Sequence, residues 1–73
     1  MDAANAEIVI RDFLKEVRSR LEQVGGIAKA AEACSDAGNA EKAVEIALGI
    51  DQSLYEITTL LNAASLINRI SDA

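Results

Sequence analysis

The apolar side chains of this sequence recur alternately three and four residues apart in two long stretches. This spacing is typical of packed helices, because it keeps the apolar residues on one side of each helix. The lack of proline in the sequence favours helix in both stretches. The repeating positions are Ile10, Leu14, Val17, Leu21, Val24, Ala28 and Ala31, then Ala43, Ala47, Ile50, Leu54, Ile57, Leu61, Ala64 and Asn68.

These positions form the a and d columns of a heptad, and a third column, g, lies beside d. The a column holds Leu14, Leu21 and Ala28, then Ala47, Leu54, Leu61 and Asn68. The d column holds Ile10, Val17, Val24 and Ala31, then Ala43, Ile50, Ile57 and Ala64. The apolar members of the g column are Phe13, Ile27 and Cys34, then Ile46, Leu60 and Ile67. The a and d columns are predicted to form the seam between two helices.

The boundary between the helices is marked by Gly38, which suits a left-handed C-cap, and by Asn39, which suits an N-cap. The sequence therefore predicts an all-α, antiparallel helical hairpin in one domain, residues 1–73. Helix 1 covers about 4–36, the turn about 37–39 and helix 2 about 40–71. A turn at Asn39 sets Leu14 opposite Ala64, whereas a register one heptad shorter would put the turn within residues 34–36. Gly49 interrupts the pattern of helix 2, and Gly25 and Gly26 either kink helix 1 or break it, which would give three helices.

Three apolar columns are more than a two-helix seam needs, so a lone hairpin would leave apolar surface in water. A chain of 73 residues with one cysteine also has no internal disulfide to stabilise it. We therefore expect a homodimer that forms a four-helix bundle, the usual solution for two such hairpins. The expected interface lies toward the open end of the hairpin and comprises Phe13, Leu14, Val17, Leu21, Leu54, Ile57, Leu60, Leu61, Ile67 and Ile70.

The residue types needed for catalysis or metal binding are scarce in this sequence. It contains no histidine, and the only thiol, Cys34, has acidic neighbours that do not favour a thiolate. We expect Cys34 to be a packing residue, and we expect no enzymatic activity, cofactor or metal. A single cysteine and the lack of an N-terminal signal sequence predict a cytoplasmic protein, and no apolar run approaches the length of a membrane span.

Four basic residues, Arg11, Lys15, Arg18 and Arg20, could form a basic strip on helix 1. Acidic residues four positions away offer the pairs Glu7–Arg11, Glu16–Arg20 and Arg18–Glu22, which would dilute the strip. The net charge of −5 also makes nucleic acid an unexpected partner.

The resulting expectation is a small protein-interaction module, an adaptor, regulator or secretion-type chaperone, that binds itself and an unidentified protein through its apolar surface. Two alternatives remain open: an RNA-modulating four-helix bundle that uses the basic strip, and a structural subunit of a larger assembly.

Overall fold

The computed structural model describes residues 2–72 and is helical almost throughout. Helix α1 comprises Ala3–Asp36, α2 comprises Ala40–Ala47 and α3 comprises Gly49–Asp72. Helix α1 is one arm of an antiparallel hairpin, and α2 and α3 together are the other arm. The predicted hairpin is therefore observed, as a rod 54 Å long. The predicted domain ends, Met1 and Ala73, lie outside the described residues.

Hydrogen bonds close both ends of the turn. Backbone N–H groups donate to carbonyls at the end of α1, and a side-chain oxygen accepts at the start of α2. Gly38 adopts a φ of 86°, and the N–H of Gly38 donates to Ser35 O while that of Asn39 donates to Cys34 O, each at 2.9 Å. This pair of bonds is the Schellman motif, which satisfies carbonyls at a helix end. The Asn39 Oδ1 then accepts from the Lys42 N–H at 3.0 Å and caps α2. The turn lies where Gly38 and Asn39 predict it, and the shorter register is wrong because α1 continues through Asp36.

The break considered at Gly25 and Gly26 does not occur, because α1 is continuous through both residues. The interruption lies instead in the second arm, at Leu48, between α2 and α3. There the Asp51 N–H donates to Leu48 O at 3.3 Å, a bond that spans three residues rather than four. Such a bond tightens the helix for one turn, and it gives the second arm a slight bend.

The seam between the arms is built from the d and g columns rather than from a and d. The buried side chains include Val17, Ile57 and Ala64 of the d column. The apolar g residues named above are half-buried, whereas Leu14 and Leu21 of the a column are 48% and 51% exposed. The predicted a/d seam is therefore displaced by one column. One neighbouring helix covers only two of three adjacent columns, and the g column also supplies a cross-arm ion pair, described below.

Among residues 2–72, no helix is both long enough and apolar enough to cross a bilayer.

Candidate interaction face

Four leucines of the a column lie side by side on one broad side of the hairpin. In an antiparallel pair of helices, a two-fold axis perpendicular to the plane of the pair relates the arms, so equal heptad positions fall on the same side. Pairing the arms from the 37–39 turn, which joins Asp36 to Ala40, places Leu14 and Leu61 nearly level with each other, and Leu21 and Leu54 nearly level about 10 Å further along the rod, at 1.5 Å per residue. They are 46–51% exposed. We call these four residues the leucine face.

The opposite broad side of the hairpin carries a polar network instead. Arg20 lies in the g column, and its Nη1 donates to Glu16 Oε2 at 3.3 Å. Its Nε lies 3.0 Å from Glu56 Oε2 on the other arm, as an ion pair without hydrogen-bond alignment. Glu56 also accepts from Gln52 Nε2 at 3.2 Å. The two broad sides of the rod thus differ: one carries the leucine face and the other carries the Arg20 network.

The ten residues predicted at the interface separate into three groups. Val17 and Ile57 are buried between the arms of their own hairpin. Phe13, Leu60 and Ile67 are half-buried in the same seam. The other five are exposed: the four leucines, and Ile70 at 52%, which lies near the end of α3 and outside the leucine face.

The heptad columns did not identify a second apolar row, which follows the outer edge of the second arm beside Leu54. Val44, Leu48 and Tyr55 are 59%, 62% and 69% exposed. Val44 and Leu48 are four residues apart and Tyr55 follows two turns later, so they lie along one line of the arm. This spacing is visible in the sequence, but only when apolar residues outside the a, d and g columns are counted.

Three of the four basic residues share one side of α1. Arg11, Lys15 and Arg18 line a shallow open groove together with Glu7, Ile10 and Leu14. Arg20 is separate from them, because it is engaged by Glu16 and Glu56 on the opposite side. Within residues 2–71, no carboxylate oxygen lies within 4.0 Å of the three groove cations, so only the Glu16–Arg20 pair of the three expected pairs is present.

The site carries little reactive chemistry. Cys34 is a free, half-buried thiol in the g column. The part of the chain that the structure describes contains no cluster of three or more potential metal-binding side chains. Comparisons with protein-family models, curated proteins and solved structures find no match to this chain.

Proposed function

We propose that this protein is a non-enzymatic protein-interaction module that acts through the leucine face. The observation that carries the proposal is the half-exposure of four neighbouring leucines on one side of a hairpin. Full burial of one leucine contributes about 1.5–3 kcal/mol, so covering the exposed half of each would contribute about 1 kcal/mol. A contiguous patch of this kind marks an association site in soluble proteins.

The thin core of the hairpin supports the same proposal. Its buried hydrophobic residues are Ala6, Val17, Ala43, Ile57 and Ala64, three of which are alanines. None of the described side chains is less than 2% exposed. Small scaffolds with so little buried apolar volume usually depend on a partner chain or a covalent crosslink.

The first occupant we propose for the leucine face is a second copy of the chain. Two hairpins packed face to face form a four-helix bundle and cover eight leucines, which contribute about 8 kcal/mol of favourable transfer free energy. Association costs about 4–15 kcal/mol in lost freedom, so the dimer should be reversible. An adaptor or regulator could exploit a reversible dimer, because a partner helix would compete with the second copy for the leucine face.

Sedimentation equilibrium of matched leucine variants tests the proposal. We expect the wild type to dimerise and L21E to be monomeric, because a glutamate in the leucine face would be buried without a partner. L66E is the matched control, since Leu66 is 49% exposed, compared with 51% for Leu21, and lies outside the leucine face. A wild type that is strictly monomeric yet melts cooperatively would contradict self-association, as would equal behaviour of the two variants.

The second candidate function is RNA binding by the dimer through Arg11, Lys15 and Arg18. It is favoured by the grouping of three cations beside Leu14, and disfavoured by the net charge of −5 and by the engagement of Arg20. Phosphate binding would weaken with added salt and with charge reversal at the three residues. RNA affinity that responds to neither change would eliminate this candidate.

A further inference from the structure

We infer that two copies pack leucine face to leucine face with their turns at opposite ends of the bundle, so that Arg11 of each copy pairs with Glu32 of the partner subunit. This inference rests on the proposed self-association and specifies its geometry. It comes from the residues that flank the leucine face, which must meet their counterparts when two faces close. The same residues discriminate between the possible orientations.

The flanking residues form the e column, next to a on the outer edge of each arm. On α1 the e column holds Arg11, Arg18, Gly25 and Glu32, and on the second arm it holds Val44, Asp51, Thr58 and Ser65. All eight are exposed. Within residues 2–72, neither Arg11 nor Glu32 is in a salt bridge. Both charges are therefore available to a second molecule.

Two two-fold arrangements bring the leucine faces together. With the turns at the same end, α1 packs against the second arm of the partner subunit. Arg11 and Arg18 then lie level with the partner's Ser65 and the partner's Thr58, so this orientation forms no ion pair between e-column residues. With the turns at opposite ends, α1 packs antiparallel against the partner's α1, and flanking e residues face each other as in antiparallel coiled coils.

The charges and the cover of the leucines together select the register of the second arrangement. If Arg18 faced the partner's Arg18, two like charges would meet at the dimer axis. Moving the helices apart by one heptad places Arg11 opposite the partner's Glu32, and symmetry makes two such pairs. A further heptad would place Arg18 opposite the partner's Glu32, but it would also set Leu14 against the partner's Ser35 and uncover part of the leucine face. The middle register alone avoids facing like charges in the e column and keeps the leucines covered.

Side-chain sizes agree with this register. Leu21 meets the partner's Leu21 at the axis, Leu14 meets the partner's Ala28, and Leu54 lies near the partner's Leu54. Arg18 falls opposite the partner's Gly25, where no atom lies within 4 Å of the position that a Cβ would take. The hairpin itself leaves the surface of α1 at Gly25 uncovered, so there is room for the guanidinium group of the partner's Arg18.

The inferred ion pairs lie at the rim, where such pairs contribute little affinity but favour one orientation over another. Charge exchange is therefore the sharpest test. R11E and E32R should each weaken dimerisation roughly tenfold, because each replaces two attractive contacts by two repulsive ones. The double variant R11E/E32R keeps the net charge at −5 and should restore the wild-type dissociation constant. K42E and E45R are controls with the same charge changes, at an exposed pair near the turn, and should not weaken the dimer.

Spin labels at the turn provide an independent readout. In a C34A/A37C variant, turns at opposite ends separate the two labels by roughly 45 Å, at 1.5 Å per residue along the rod. A dimer whose two labels lie closer than about half that distance would overturn the inferred orientation but not self-association. The same conclusion would follow if the R11E/E32R dimer bound no more tightly than the dimers of the single variants. A strictly monomeric wild type would instead overturn the proposed self-association, and the inference with it.

Discussion

Gly38 is the residue on which the turn depends, because its φ of 86° lies in the left-handed region. An L side chain there meets its own carbonyl oxygen at a cost of about 1–2 kcal/mol. Gly26, by contrast, has a backbone conformation that does not require glycine. It lies inside a continuous helix, and no atom within 4 Å would obstruct a Cβ. Its only conformational effect is the entropy lost when a glycine enters a helix.

We therefore expect opposite results from the same substitution at these two positions. Gly38→Ala should lower the free energy of unfolding by about 1 kcal/mol, and Gly26→Ala should raise it by about 1 kcal/mol. Urea unfolding followed by circular dichroism, at one fixed protein concentration, measures both. Stabilisation by Gly38→Ala would show that the turn does not use the left-handed conformation.

The two arms of the hairpin are built differently. Helix α1 begins at an Asp2 cap, whose Oδ1 accepts from the Asn5 N–H at 2.9 Å, and then continues for 34 residues. The second arm is divided at Leu48 into a short α2 and a longer α3. Because α2 has only eight residues, little of its stability comes from its own length, and its start depends on the Asn39 cap.

Removal of that cap should destabilise the hairpin measurably. Asn39→Ala leaves the Lys42 N–H without its side-chain acceptor, and we expect a loss of about 1 kcal/mol in the free energy of unfolding. Asn62→Ala is the control, since Asn62 is exposed inside α3 and alanine is the better helix former. The cap is unimportant if both variants unfold at the wild-type urea concentration.

The hairpin as a whole is a rod with a thin core and with the leucine face on one broad side. The free energy of unfolding of the hairpin should then depend on how much of the leucine face is covered. If a second copy covers it, that cover increases with protein concentration. Anything that binds only the folded state stabilises it by mass action.

The melting temperature should accordingly rise with protein concentration. We expect a rise of several degrees over about a hundredfold increase in concentration for the wild type and for L66E. L21E should melt at one temperature throughout, below the wild type. Thermal melts monitored by circular dichroism provide the measurement, and a wild-type midpoint independent of concentration would be incompatible with a folded dimer.

The leucine face could be predicted only in part from the sequence. The heptad spacing identified all four of its leucines as apolar helix positions, but it grouped them with Val17 and Ile57, which the hairpin buries for itself. This error arises because the spacing describes one helix, whereas burial depends on the helix opposite. The inclusion of Arg20 in the basic strip has a different cause: Arg20 is nine residues after Arg11, which places it half a turn around α1, on the side of Glu16 and Glu56.

The helices, the turn and the three apolar columns can be predicted from local sequence, because capping residues and helical periodicity act over a few neighbouring residues. The assignment of d and g to the seam, with a facing outward, required the packing of the two arms against each other. On an isolated helix, the three adjacent apolar columns are nearly equivalent in their exposure to water. The position of the second arm removes that equivalence, since it can cover two of them and must leave the third exposed.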